Sequence, residues 1–379
     1  MDFKLSKEHE LAQQMFRQFA KTELEPIAVE IDEAERFPEE SVAKMKKLGM
    51  LGVPYPKKYG GQGCDEMTYA IMMEEISAVC ASTGIIASVH TSLCCGAIYQ
   101  NGTEEQKEKY LRPLLDGTAL GAFGLTEPSA GSDAASQNTT AVRDGDDFIL
   151  NGSKIFITNS GFADIYTIFA MTDKAQGTRG ISCFIVEKEM AGFTQGKPER
   201  KLGIRAACVR ELIFDNVRVP AANMLGKEGR GFGIAMKALD GGRIGIAAQA
   251  VGISQGAFDH AVNFVKERKQ FGKPLSKLQN TQFTLADMAT RIQAARFMVW
   301  DAASTADAKE PYSVKAAMAK LFAAETASYV TNRAVQMMGG YGYMREYSVE
   351  RMMRDAKITE IYEGTSEVMK MVISGQLLK

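Results

Sequence analysis

The densest run of reactive residue types in this sequence is Arg351-Met-Met-Arg-Asp-Ala-Lys-Ile-Thr-Glu-Ile-Tyr-Glu-Gly-Thr-Ser-Glu367. In it a carboxylate able to move a proton, Glu363, stands beside Gly364 and Thr365. The glycine lets backbone approach a ligand closely, and the hydroxyl can cap a helix or meet that ligand. Taken alone, the run also reads as a Thr365 helix cap with Glu363 exposed next to it, so both readings stand at this point.

Four further runs carry groups suited to a polar or flat ligand. Phe123-Gly-Leu-Thr-Glu-Pro-Ser-Ala-Gly-Ser-Asp133 packs small and hydroxyl residues around Pro128, either to present donors to a cofactor or as a tight loop. Lys154-Ile-Phe-Ile-Thr-Asn159 reads as a strand with Phe156 and Thr158 on one side at period two. A ring beside a hydroxyl suits a heterocycle, although an inward Phe in a sandwich core is equally ordinary. In Glu267-Arg-Lys-Gln-Phe-Gly-Lys-Pro-Leu275, followed by Gln279, Arg268 can grip a phosphate with two donors. In Val335-Gln-Met-Met-Gly-Gly-Tyr-Gly-Tyr343, Gly339 and Gly340 can bring amides near such a group.

Other chemistries lack their residues. The three histidines, His9, His90 and His260, are far apart with no metal-binding spacing, so no metal is expected. Neither a GxSxG elbow nor a GxxxxGK[ST] loop occurs. The run Gly226 to Gly233 superficially resembles a phosphate loop, but it follows no strand of a βαβ unit and reads as a connector into a helix. The six cysteines form no CxxC pair and are expected to be reduced. Lys plus Arg number 45 against 46 Asp plus Glu, a balance that favours neither nucleic acid nor an anionic membrane. No uninterrupted apolar run reaches the roughly 18 residues of a membrane span, and the polar first residues have no leader-like core. A cytoplasmic protein is expected.

At 379 residues the chain is long enough for two or three domains around a buried cleft. From Leu5 to about Leu115 apolar residues recur at helical spacing, predicting a helical domain over residues 1–117. Short β-rich runs follow: Phe148 to Leu150, Lys154 to Thr158, Ile165 to Met171, Ile181 to Val186 and Leu212 to Phe214. They predict a β barrel or sandwich over 118–225. Beyond it Ile244, Ala248, Val251, Phe258, Val262 and Val265 return to helical steps, predicting a four-helix-bundle-like domain over 226–379. The fold class is thus α+β multidomain, with a ligand crevice where three parts meet.

In order along the chain, Leu-Thr-Glu-Pro (125–128), Gly-Ser-Asp (131–133), Phe-Ile-Thr-Asn (156–159), Arg-Lys-Gln-Phe-Gly-Lys (268–273), Gly-Gly-Tyr-Gly (339–342) and Ile-Tyr-Glu-Gly-Thr (361–365) resemble the acyl-CoA dehydrogenase family. The likeness runs essentially from end to end. In texture and length it is most similar to short-chain, butyryl-CoA-type members and related enoyl-CoA reductases of anaerobic bacteria.

The resemblance implies an FAD enzyme in which Glu363 is the base that takes the α proton of an acyl-CoA while hydride leaves the β carbon for flavin N5. The Glu363 N–H and a ribityl hydroxyl would hold the thioester oxygen, and desolvation would raise the Glu363 pKa. It further implies that Phe123, Leu125, Thr126 and Ser132 line the flavin, that Phe156, Ile157 and Thr158 border its ring, and that Thr365 and Glu367 touch it again. Arg268, Phe271, Gln279, Gln336, Gly339 and Gly340 would hold the ADP half of a neighbouring subunit's FAD, in a homotetramer. Ser132, Asp240, Arg243 and Gly364 would meet the acyl ligand, and residues from Ile85 to Tyr99 and near Tyr362 would set chain length. Phe156 departs from the Trp that many relatives carry. Electron-transferring flavoprotein is the implied partner. An acyl-CoA oxidase is the alternative enzyme, disfavoured by length, and a non-catalytic flavin-binding relative is disfavoured because the Glu363 motif is whole.

Overall fold

The computed structural model describes residues 4–378. Helices come first: α1 (Lys7–Phe19), α2 (Glu66–Ser77) and α3 (Ala81–Ser88), with shorter turns between. Ser6 and Asp65 cap α1 and α2 through their side-chain oxygens, satisfying N–H groups that a helix start leaves open. Every residue of α2 after Glu66 is buried, because the helix lies between α1 and the C-terminal helices. A helix buried all round shows no apolar stripe. The α3 stretch continues into a π-helical turn, Val89–Cys95, and the most apolar 18 residues of the run Ala81–Asn101 are 94% buried inside the fold, as a core helix is.

The middle of the chain forms β1 (Gly121–Gly124), β2 (Thr140–Asp144), β3 (Asp147–Thr158), β4 (Ile165–Met171), β5 (Ile181–Glu187), β6 (Phe193–Gln195), β7 (Val209–Pro220) and β8 (Met224–Leu225). Their order is β6-β7-β3-β2-β4-β5-β8, with β1 parallel to β4. Although β6 and β4 stand four places apart, the Phe193 and Tyr166 rings meet at 4.9 Å and Gln195 donates to the Tyr166 hydroxyl at 2.7 Å. The sheet therefore folds over one core, centred on Phe148, Tyr166, Phe184 and Phe214. Among the described residues β6 pairs only with β7 and β8 only with β5, so the two edges do not close. Of the barrel and sandwich expected, the sandwich is the nearer description. The runs 148–150 and 154–158 prove to be one strand, β3, whose pairing with β7 slips between Leu150 and Gly152 and again between Lys154 and Ile157.

After the connector come α4 (Gly231–Glu267), α5 (Gln279–Asp307), α6 (Ser313–Met338), α7 (Val349–Ile358) and α8 (Ser366–Leu377). At 37 residues α4 is roughly 55 Å long and packs along α6, α5 and α2. It approaches α2 so closely that a Cβ on Gly252 would lie 2.2 Å from the Glu74 carbonyl oxygen. Asp307 at the end of α5 accepts the Glu66 and Met67 N–H groups at 2.7 and 3.2 Å. The half-buried pair of Arg296 and Glu74, 2.8 Å apart, joins the same elements. The N- and C-terminal helical parts are thereby locked to each other.

Candidate active site

Five segments converge on one hollow of about 280 Å³. The end of β1 and the loop after it bring Phe123, Leu125, Thr126 and Ser132; the end of β3 brings Phe156, Ile157 and Thr158. The start of α4 supplies Phe232, Met236, Leu239 and Arg243, and Ile85, Val89 and Leu93 form an apolar wall. The turn between α7 and α8 adds Tyr362, Glu363 and Gly364.

That turn is unusual in its backbone. Glu363 has φ of 54° and Gly364 of 99°. The left-handed conformation costs a non-glycine residue on the order of 1 kcal/mol or more, and such strain persists where the surroundings impose it. Three contacts do so here. The Tyr362 hydroxyl donates to the Gln249 side chain, which donates onward to the Ala81 carbonyl at 2.8 Å. Lys320 of α6 donates to the Gly364 carbonyl at 2.6 Å. Thr365 caps α8 through the Val368 N–H at 3.3 Å, so the helix-cap reading and the special position of Glu363 both hold.

The Glu363 side chain points inward. The residue as a whole keeps some solvent contact, yet both carboxylate oxygens are sealed and accept no hydrogen bond from the described residues. Burial pushes its carboxyl up to about 8, partly opposed by the positive charges of Lys320 and Arg243. Room for the carboxylate is made by Gly242, where a Cβ would lie 1.9 Å from Oε2. Arg243 reaches the Glu363 carbonyl at 3.5 Å, and its guanidinium is paired with Asp240 at 2.7 Å. Asp240 also accepts from Ser313 at 2.9 Å, so it backs Arg243 from outside the hollow.

Phe156 answers the question its sequence left open. It sits in the second slip of β3 with φ of 59°, which breaks the period-two alternation, and its ring is 62% exposed instead of filling the sheet core. The loop that carries Thr126 is fixed from below by Lys154, which is wholly buried and donates to Glu127 at 2.6 Å, Gln137 at 2.9 Å and the Leu125 carbonyl at 3.2 Å.

The remaining expected residues lie elsewhere. Arg268, Gly339 and Gly340 line a separate, wider recess of about 400 Å³, where Arg268 lies over the Tyr341 ring at 5.1 Å. Besides Arg268 and the Tyr341 phenol, no titratable side chain lines it. Gln336 lines a second surface recess with Tyr329 and Arg333. Phe271, 89% exposed at φ 51°, tips a small hairpin, and Gln279 starts α5 in solvent. Thr365 caps α8 and Glu367 lies in its first turn, while Tyr99 lines another small cavity, beside Tyr55 and Glu66. Gly242, Lys320 and Gln249 were not singled out by sequence reasoning. The one available signal was a lysine in an alanine-rich helix, at Lys320 between Ala319 and Leu321.

Family models for the N-terminal, middle and C-terminal domains of acyl-CoA dehydrogenase match residues 6–118, 122–217 and 229–378. The chain is 59% identical, over all of both sequences, to a short-chain specific acyl-CoA dehydrogenase of Clostridium acetobutylicum. It superposes on butyryl-CoA dehydrogenase from Megasphaera elsdenii with TM-score 0.98 and 50% identity, and on a chain in a structure of the electron transferring flavoprotein of Acidaminococcus fermentans with TM-score 0.99 and 54% identity; both cover all of either chain. Three consecutive domain matches, full-length identity and a common fold make this chain a member of the acyl-CoA dehydrogenase family.

Proposed function

We propose that this protein is an FAD-dependent acyl-CoA dehydrogenase that removes two hydrogens across the α and β carbons of a short-chain acyl-CoA, or returns them to the enoyl-CoA, with Glu363 as base. The observation that carries this reading is a sealed carboxylate without a hydrogen-bond partner among the described residues, on the same hollow as an exposed ring and three hydroxyls. The hollow fits a flavin. Phe156 offers a ring to a flat heterocycle, Thr126, Ser132 and Thr158 offer hydroxyls to its polar edge, and a Cβ at Gly339 or Gly340 would project into open space in the recess of Arg268.

When bound, FAD supplies the acceptor for the hydride that leaves the β carbon. The protein's part is the proton. A carboxyl whose pKa lies near 8 is matched to a base working close to neutrality, neither permanently ionised nor permanently neutral. Arg243 and Lys320 place positive charge beside the carboxylate as it forms. The Glu363 N–H is the donor for the thioester oxygen, where charge develops as the α proton leaves. Ile85, Val89 and Leu93 wall the acyl end and exclude water from it. In the reductive direction Glu363 returns the proton, by microscopic reversibility.

Short acyl chains follow from the Clostridium relative's name, and exchange of electrons with an electron-transferring flavoprotein from the Acidaminococcus structure. A homotetramer is supported by exposed apolar side chains at Phe271, Phe283, Tyr343, Met371 and Leu377, and a cytoplasmic setting by six free cysteines. Glu363→Gln tests the core of the reading. It should retain FAD and bind butyryl-CoA while anaerobic bleaching of the flavin slows by ~10² to 10⁴. Bleaching at the wild-type rate would place the base elsewhere.

A further inference from the structure

We propose that Lys320 is a positioning residue for proton transfer at Glu363: it holds the turn that carries the carboxylate and supplies the positive field in which that carboxylate ionises. The inference rests on Glu363 being the base. Lys320 lies inside α6 with no solvent exposure, among Ala316, Ala319, Ala323 and Ala324. Its ammonium donates to the Gly364 carbonyl at 2.6 Å, directly behind the two residues of positive φ. A neutral amide could hold that carbonyl, and burying an ammonium costs several kcal/mol even after relaxation. The charge therefore asks for its own explanation, and Glu363 provides it.

The neighbouring charges leave Lys320 in that role. Arg243, approaching from α4, is already committed to Asp240 at 2.7 Å. Glu360, at the start of the turn, is held by Lys357 at 2.6 Å, and Glu367 stands exposed on α8. Tyr69 from α2 and Tyr362 beside the carboxylate are both held neutral by burial. Among the described residues Lys320 forms no ion pair, and the Glu363 oxygens accept no hydrogen bond, so the ammonium acts on the carboxylate through space and through the Gly364 peptide. Burial draws the Lys320 ammonium down to about 8, and Glu363 is the first group opposing that shift. Removing the charge should make Glu363 harder to ionise. Its base form would then fill only at higher pH.

The test uses the FAD-loaded protein in wild type, Lys320→Gln, which retains a donor for the carbonyl without charge, and Lys320→Arg, which retains the charge. Two readouts are taken against pH: anaerobic flavin bleaching by butyryl-CoA, and the infrared carbonyl stretch of the protonated carboxyl, assigned by its loss in Glu363→Gln. In Lys320→Gln the carboxyl midpoint should rise by ~1 pH unit or more, slowing bleaching about tenfold on the acidic side. The rate should recover as pH is raised, at unchanged FAD content. Lys320→Arg should titrate close to wild type. A Lys320→Gln midpoint equal to wild type, or a rate lowered equally at every pH, overturns the proposal. Should Lys320→Gln fail to fold, Lys320→Arg decides: a native midpoint supports the role of charge, and a shifted one refutes it. If Glu363→Gln itself bleaches normally, the base assignment has failed; if that variant is dead while Lys320→Gln titrates like wild type, only the role of Lys320 has.

Discussion

A carboxyl that must both hold and release a proton near neutrality needs a setting hostile to its charge, but not overwhelmingly so. At Glu363 burial provides the hostility and two cations moderate it. The third ingredient is space, and Gly242 provides it. In Gly242→Ala the new methyl would strike Oε2 and the Leu93 methyl Cδ2, both ends of flexible side chains, so folding should be little affected while the carboxylate is displaced. A misplacement of about 1 Å can cost ~10² in rate, and a loss of that order is expected in anaerobic bleaching with FAD content and melting temperature near wild type. Wild-type bleaching in Gly242→Ala would show that the carboxylate works from another position. No sequence pattern distinguished Gly242 from the adjacent Gly241, because the distinction exists only once the turn at Glu363 is docked against α4. Glu363 was nominated by the likeness of its motif to the family's, and the structure adds that it lines the hollow.

At the scale of elements, legibility followed periodicity. The steps at Phe258, Val262 and Val265 fall where α4 has one inward side, whereas from Gly242 to Ser254 every residue of it is buried, so there its apolar residues outlined a helix without marking a face. Helix α2 carries no such stripe because neighbours cover it on every side. In β3 the slips at Gly152 and Phe156 interrupt alternation, which is why one strand read as two and why Phe156 could not be assigned to a side. The fixing of the Thr126 loop was invisible for a different reason: Glu127 and Lys154 meet across 27 residues inside the sheet domain. Breaking that pair from one side leaves a buried charge alone. Lys154→Met should destabilise the protein by about 3 to 5 kcal/mol and loosen FAD, and adding Glu127→Gln should restore much of the stability. Denaturant unfolding of the single and double variants checks this, and a single variant as stable as wild type would contradict it.

For the whole molecule, the two recesses divide the labour. The hollow around Glu363 is nearly self-contained, whereas the recess of Arg268, Gly339 and Gly340 opens to the surface beside the protruding Phe271. On the proposed reading, in which a second copy completes that recess as a cofactor site, cofactor retention and assembly are linked. Arg268→Ala is expected to lose FAD on dilution and to shift the sedimenting species toward smaller assemblies, more so at low protein concentration. Full flavin and an unchanged sedimentation profile would refute the link.

Helix α4 carries both ends of this arrangement on one rod. Met236, Leu239 and Arg243 face the hollow near its start, and Arg268 follows its last residue. Each residue added to a helix turns everything beyond it by about 100° and advances it by about 1.5 Å. A single insertion near Ser254 would therefore swing Arg268 out of line with Arg243, even if every side chain on both sides kept its identity. The number of residues between the two arginines is as much a part of the site as the arginines themselves.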